Sequence, residues 1–178
     1  ENPSFRPDMI KIYPTLVVKG TELYDMWKRG EYEPLSTNDA ARVIAMIKKI
    51  TPTWVRIQRV QRDIPTNVID AGVDRSNLRQ IANDIMRENG WRCRCIRCRE
   101  VGHRIRDGGQ APMPDDIEMI RKDYSASDGK EIFISLEVKK TDTLLGYIRL
   151  RDPSSNVNLT DHGHMALVRE LKIFGKMV

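Results

Sequence analysis

Apolar positions in the first part of the chain switch between strand-like and helix-like periods. The apolar run at 10–18 predicts a buried strand, and Pro14 should bend or end it because proline donates no ladder hydrogen bond. A short helix should follow through Trp27, with Gly30 as its C-cap. Residues 10–62 therefore show the order strand, helix, helix, strand, which is typical of parallel α/β units.

Helical spacing dominates on both sides of a second predicted strand. Ser36 is placed to cap a helix. The apolar stripe of that helix comprises Ala40, Val43, Ile44 and Ile47. The strand over 54–62 alternates, with apolar side chains on one face and Arg56 and Gln58 on the other. A further helix is predicted over 77–89.

The pattern changes in the second half of the chain. Residues 107–114 are rich in glycine and proline and predict a linker or exposed loop, followed by a helix over 115–123. Alternation then predicts a strand at 131–138, and two further strands are predicted at 144–150 and 165–174. Consecutive antiparallel strands differ from the parallel units of the first half, so the domain boundary should fall near the cysteines that separate the two halves.

The charge balance is compatible with a nucleic-acid partner. Lysine and arginine total 30 against 25 acidic residues, a formal net charge of +5. An excess of this size suits RNA binding and equally suits a solvated surface. No stretch of about 18 apolar residues and no signal-peptide pattern occurs in the sequence, so we expect no membrane association and a cytoplasmic protein.

Every cysteine of the chain lies within six residues, in the motif C-x-C-x2-C. The thiols belong to Cys93, Cys95 and Cys98, and interleaved arginines favour the thiolate form that binds zinc. His103 is the nearest candidate for a fourth ligand. We predict a structural zinc site. Three unpaired thiols on a basic loop, a disulfide and an iron–sulfur cluster are the alternatives.

An arginine-rich strand is the second candidate for chemistry. Arg56, Arg59 and Arg62 lie within nine residues, and the planar guanidinium group suits phosphate. The alternative is a strand that leaves the sheet and presents its arginines to water. Lysines such as Lys19 and Lys28 would extend a basic surface, or be solvated individually.

Five stretches resemble the catalytic subunit of Elongator. They are RPDMIKIYP at 6–14, VKGTEL at 18–23, WVRIQRVQRDIP at 54–65, CRCIRCREVGH at 93–103 and VRELKIFG at 168–175. The resemblance covers nearly the whole chain, and the cysteine motif favours an archaeal or bacterial member.

The resemblance implies an α/β fold of three parts. Residues 1–90 would be the C-terminal part of a radical S-adenosylmethionine, TIM-like barrel. Residues 91–114 would be a zinc-binding linker, and residues 115–178 the start of an acetyltransferase sheet of the GNAT type.

The same resemblance implies an enzyme that modifies wobble uridine 34 of tRNA. Acetyl-CoA would supply the acetyl group, and a radical from S-adenosylmethionine, generated at a [4Fe-4S] cluster, would couple it to carbon 5. The cluster-binding cysteine triad and the acetyl-CoA loop of that family are not found in these 178 residues. We therefore expect the chain alone to be inactive. The alternative is a zinc-stabilised RNA-binding module without catalysis.

The implied partners and site residues follow from the matched positions. The anticodon stem-loop of tRNA would contact Arg56, Arg59, Arg62, Lys19 and Lys28. Cofactor binding would involve Lys19, Glu22, Arg56 and Gln58. Glu170 is a weak candidate near acetyl-CoA, and the catalytic residues are otherwise undetermined. Exposed strand edges would need further protein or a second copy, as in a homodimer.

Overall fold

The computed structural model describes residues 2–152 and 166–175. The chain divides into two compact units. One unit spans Met9–Cys95, and the other combines the segment up to Asp8 with the chain from Ile96 onward. No described helix is long and apolar enough to cross a membrane.

The unit over Met9–Cys95 is an α/β arrangement around a short parallel pair of strands. Its elements are β1 (Met9–Lys11), α1 (Glu22–Lys28), α2 (Thr37–Ile50), β2 (Arg56–Arg59) and α3 (Leu78–Glu88). β1 pairs with β2 in parallel, which confirms the predicted order of elements. Both strands are shorter than predicted. Between β1 and α1 the chain has no regular element, except that Val17 forms an isolated β-bridge with Ala71.

Helices α2 and α3 form the core of this unit. The Ser36 hydroxyl accepts from the Asp39 N–H at 3.1 Å, which confirms the predicted cap. Small and branched residues of α2 are buried against α3. They are Ala40, Ala41, Ile44 and Ala45, opposite Leu78, Ala82 and Met86. Val43, predicted for this stripe, is instead 39% exposed.

The other unit is built on one four-stranded antiparallel sheet. Its elements are α4 (Ile96–Arg99), α5 (Val101–Arg106), β3 (Glu118–Ala126), β4 (Gly129–Val138), β5 (Thr143–Asp152) and β6 (Leu167–Ile173). The strand order is β3-β4-β5-β6, which confirms the three predicted strands. Residue 165, at the start of the predicted third strand, lies outside the described residues. Single 3₁₀ turns occur at Pro3–Phe5, Thr66–Val68, Pro114–Asp116 and Lys139–Thr141.

The predicted helix over 115–123 is wrong, because most of this segment forms β3. Ser127 and Asp128 have positive φ angles of 48° and 60°. Two successive residues with positive φ make the tight turn that suits the twist of a hairpin. The hairpin pairs Ala126 with Gly129, and the chain on its N-terminal side is held in the extended conformation by β4. This pairing overrides the local preference for helix.

The N-terminal segment 2–8 packs against the same sheet. The Ser127 N–H donates to the Pro3 carbonyl at 3.1 Å, and the Arg6 guanidinium donates to the Ser125 carbonyl at 2.9 Å. Asp8 pairs with Arg149 of β5. More than a hundred positions separate these partners along the chain, so tertiary structure alone brings this segment to the sheet.

Candidate functional site

The three cysteines converge as a candidate metal centre. Their sulfur atoms all lie within 4.8 Å of one another, and Cys95 is fully buried. Thiolates bound to one tetrahedral zinc at about 2.3 Å would be about 3.8 Å apart. The cluster therefore fits a single divalent ion with small side-chain adjustments. Among residues 2–152 and 166–175, these cysteines form the group of three or more potential metal ligands whose ligand atoms all lie within 4.8 Å of one another.

Cys98 is carried by α4, a single helical turn. An isolated turn of this length is unstable in water, so its position depends on tertiary contacts. Ile96 and Arg99, three residues apart on one face of α4, are both fully buried. The next residue, Glu100, forms a parallel bridge with Leu144 of β5. The sheet therefore positions the helical turn that presents Cys98.

Arg99 is held by two carboxylates of the sheet. One Nη atom lies 2.7 Å from Glu137 Oε2 and 3.6 Å from Asp142 Oδ1. Glu137 Oε1 in turn accepts from the Ser135 hydroxyl at 2.6 Å. Charge compensation of this kind allows an arginine to be buried completely. Asp142 has a left-handed backbone, with φ of 52°, in the turn before β5.

His103 lies on α5 with its ring directed at other partners. Its Nε2 atom lies 3.4 Å from Glu100 Oε2, and its Nδ1 atom lies 2.7 Å from an Arg106 Nη atom. In the described part of the chain, the group of ligand atoms that lie within 4.8 Å of one another consists of the three cysteine sulfurs. It does not include the ring of His103. His103 as the fourth ligand stays a prediction.

The polar face of β2 carries the candidate RNA-binding arginines. Ile57 is fully buried on one face of the strand, whereas Gln58 and Arg59 are exposed. Arg56 is partly buried and Arg59 forms an ion pair with Asp63. In the parallel register Arg59 lies opposite Lys11, at the carboxyl ends of both strands. Function in α/β sheets concentrates at such ends.

The remaining predicted site residues lie around α1 and after β2. The Lys19 N–H donates to the Asp70 carboxylate at 3.0 Å, which joins the loops that follow β1 and β2. Glu22 is the first residue of α1. Lys28 Nζ lies 4.7 Å from the centroid of the Trp27 ring, a cation–π contact. Arg62 lies beyond β2 and is exposed.

A buried ionic network connects segment 2–8 to β4, β5 and β6. Arg149, 1% exposed, donates from Nη to Asp8 at 3.2 Å and from Nε to Glu170 at 3.0 Å. Arg169 donates to Asp8 at 2.6 Å and to Glu131 at 3.1 Å. Such a network is stabilising only when every charge is paired.

Glu170 lies within this network. Its carboxylate is engaged by Arg149 and by the hydroxyl of Tyr147. Burial raises the pKa of Tyr147 to about 12, and the hydrogen bond to Glu170 contributes to this rise. Because this folded-state pKa lies above the unfolded value, the stability it contributes is present below about pH 10 and is lost toward pH 12. Glu170 as a catalytic residue stays a prediction.

Sequence patterns did not reveal the buried arginines. Arg99 is one of four arginines around the cysteines, and no local feature separates it from the other three. Arg149 and Arg169 alternate with apolar residues in their strands, as solvent-facing residues would. Their acidic partners Asp8 and Glu137 carry no distinguishing pattern. Burial and partner identity depend on strand register, which no local pattern specifies.

Comparison with known proteins finds a domain family that matches the first half of the chain and relatives of similar sequence over nearly all of it. Residues 7–88 match the model of the Radical_SAM C-terminal domain. The tRNA uridine(34) acetyltransferase of Methanocaldococcus infernus is 51% identical over 98% of this chain and 33% of its own length. Elongator complex protein 3 of Saccharomyces cerevisiae is 44% identical over 100% of this chain and 32% of its own length.

A solved structure agrees with the fold. The structure of archaeal Methanocaldococcus infernus Elp3 with an N-terminal deletion has a TM-score of 0.91 and 51% identity, over 98% of this chain and 41% of that one. The α/β class is therefore confirmed. The chain spans about a third of the length of the curated relatives that it matches.

Proposed function

We propose that the chain belongs to the family of the Elongator catalytic subunit and that the natural protein modifies wobble uridine 34 of tRNA. The identity of 51% over 98% of the chain to a tRNA uridine(34) acetyltransferase carries this proposal. The reaction would be an acetyl-CoA-dependent radical addition to carbon 5 of the uridine. A [4Fe-4S] cluster with S-adenosylmethionine would supply the radical chemistry elsewhere in the full-length enzyme.

The two units would serve the two halves of this reaction. The unit over Met9–Cys95 would be part of the radical barrel wall, as supported by the domain match over residues 7–88 and by the parallel pairing of β1 with β2. The antiparallel sheet β3–β6 would open an acetyltransferase domain of the GNAT type. The intervening residues 91–114 would be a metal-binding linker. A cytoplasmic location agrees with a tRNA substrate.

The metal we propose for the linker is zinc, held by Cys93, Cys95 and Cys98. The proximity of three sulfurs within 4.8 Å supports this proposal, since soft thiolates are preferred zinc ligands. Its role would be structural: the ion would fix the path of the chain from residue 93 to α4. His103 or another group would complete the tetrahedron.

The basic residues near β2 would contact tRNA. The proposed contacts are Arg56, Arg59, Arg62, Lys19 and Lys28, with Glu22 and Gln58 near the cofactor. The exposure of Arg59 and Arg62 supports this, because phosphate contacts require accessible guanidinium groups. Trp27, next to Lys28, offers an aromatic surface for the same ligand.

Neutralising Arg56 and Arg59 together should weaken tRNA binding and flatten its dependence on salt. Each lost phosphate contact reduces the number of counterions released on binding. In a plot of log affinity against log salt concentration, the double variant R56Q/R59Q should therefore have a slope shallower by roughly 1.4–1.8. Fluorescence anisotropy with an anticodon stem-loop at several salt concentrations measures this. R121Q is the matched control, since Arg121 is also exposed and paired with a nearby aspartate, Asp123. Equal slopes in both variants would remove β2 from the interface.

Catalysis by the full-length protein separates this proposal from a binding module without chemistry. The natural protein should hydrolyse acetyl-CoA when tRNA is added, whereas the 178-residue chain should not, because it lacks the motifs expected for the acetyl-CoA loop and the iron–sulfur cluster. A spectrophotometric assay of free CoA thiol measures both proteins. Turnover by the chain alone would contradict the assignment of the reactive parts, and an inactive natural protein would favour the binding module.

A further inference from the structure

We propose that Arg99 is a positioning residue for the metal centre, fixing the helical turn that carries Cys98. This inference rests on the proposed zinc site. Arg99 is one of four arginines around the cysteines, and the sequence alone does not indicate this role for it.

The first step of the argument is mechanical. Cys98 and Arg99 are consecutive residues of α4, so their Cα atoms are about 3.8 Å apart. A helix of four residues has almost no stability of its own. The place of Cys98 is therefore set by whatever anchors this turn, and its buried side chains are those of Ile96 and Arg99.

The second step concerns direction. The burial of Ile96 excludes water without fixing how the turn is rotated, because apolar contacts are not directional. The Arg99 guanidinium is directional. It lies 2.7 Å from Glu137 and 3.6 Å from Asp142, on two different segments of the sheet. A buried positive charge held between two carboxylates resists displacement of the turn, because moving the guanidinium away would leave all three charges buried and uncompensated.

The third step concerns the rigidity of the partners. Glu137 lies at a register irregularity of β4 and is fixed further by the Ser135 hydroxyl. Asp142 lies in a turn with a left-handed backbone. The Glu137 carboxylate is therefore held by the sheet independently of Arg99. Groups that orient metal ligands from outside the coordination sphere typically change affinity 10–100-fold when they are removed.

The test compares two buried arginines of the same sheet. R99M should lower zinc affinity roughly 10–100-fold, as measured by competition with a chromophoric chelator. The cobalt(II) derivative of R99M should lose intensity in its visible tetrahedral bands. R149M is the matched control: Arg149 is equally buried but pairs with Asp8 and Glu170, which are not partners of Arg99. Measured under conditions in which R149M is folded, its zinc affinity and cobalt spectrum should equal those of the wild type.

Two further variants keep the test decisive if methionine at either position prevents folding. R99K and R149K retain the charge on a shorter side chain that lacks the planar guanidinium group, so R99K alone should still lower zinc affinity. Equal affinity and equal cobalt spectra for the Arg99 and Arg149 variants would overturn the inference. A wild-type chain that binds no zinc would instead overturn the proposed metal site, and the two failures are thus distinguishable.

Discussion

Replacing Cys95 by serine should abolish zinc binding and destabilise the protein. Cys95 is fully buried and its sulfur lies within 4.8 Å of those of Cys93 and Cys98. A neutral hydroxyl is a poor zinc ligand, and two thiolates alone do not close a structural site. A structural zinc binds the folded form of a protein far more tightly than the unfolded form, so at the proposed site its binding energy, about 10–16 kcal/mol in zinc-finger peptides, would contribute directly to folding. The zinc content should fall from one per chain to none.

Metal analysis and thermal unfolding with and without a chelator measure this effect together. A chelator should lower the Tm of the wild type and leave that of C95S unchanged. R94S is the matched control, since Arg94 is exposed and lies between Cys93 and Cys95. It should retain one zinc and the chelator response. Purified wild-type protein that contains no metal, with a Tm insensitive to the chelator, would show that the thiols have another role.

Replacing Arg149 by methionine should cost about 3 kcal/mol of unfolding free energy, the lower end of the range for breaking a buried ion pair, because the partner carboxylates of Asp8 and Glu170 are 25% and 28% exposed. Arg149 is 1% exposed and compensates Asp8 and Glu170 together. Its guanidinium also lies 5.1 Å from the centroids of both Phe133 and Tyr147. Methionine would fill much of the volume, so the loss should come mainly from the stranded carboxylates. Urea denaturation followed by circular dichroism measures it.

R121M is the matched control for this prediction. Arg121 also pairs with an aspartate on the same sheet, but its side chain is 58% exposed. Exposed pairs contribute at most about 1 kcal/mol, so this variant should unfold close to the wild type. A similar loss in both variants would mean that the buried network contributes no more than a solvated pair. The R149M variant should also weaken the contact of segment 2–8 with the sheet, because Asp8 then retains only Arg169.

Strand and helix patterns predicted much of the fold, and their failures have a common cause. The alternation at 131–138 and the helical stripe after Ser36 correspond to β4 and α2, because both depend on burial of one face of a single element. The helix predicted over 115–123 is β3, since the hairpin turn and the neighbouring strand decide its conformation. The short turns α4 and α5 were not predicted, because neither is long enough to show a period.

The sequence by itself identified the cysteine cluster and the basic character of β2. Three cysteines within six residues are close together along the chain, and β2 begins and ends with an arginine whatever lies next to it. Only the tertiary structure decided which charges are buried. Asp8 and Arg149 meet across 141 positions, and Arg99 meets Glu137 through the register of β4. Contacts between residues that are distant in sequence depend on how whole helices and strands pack, and the local sequence pattern does not determine that packing.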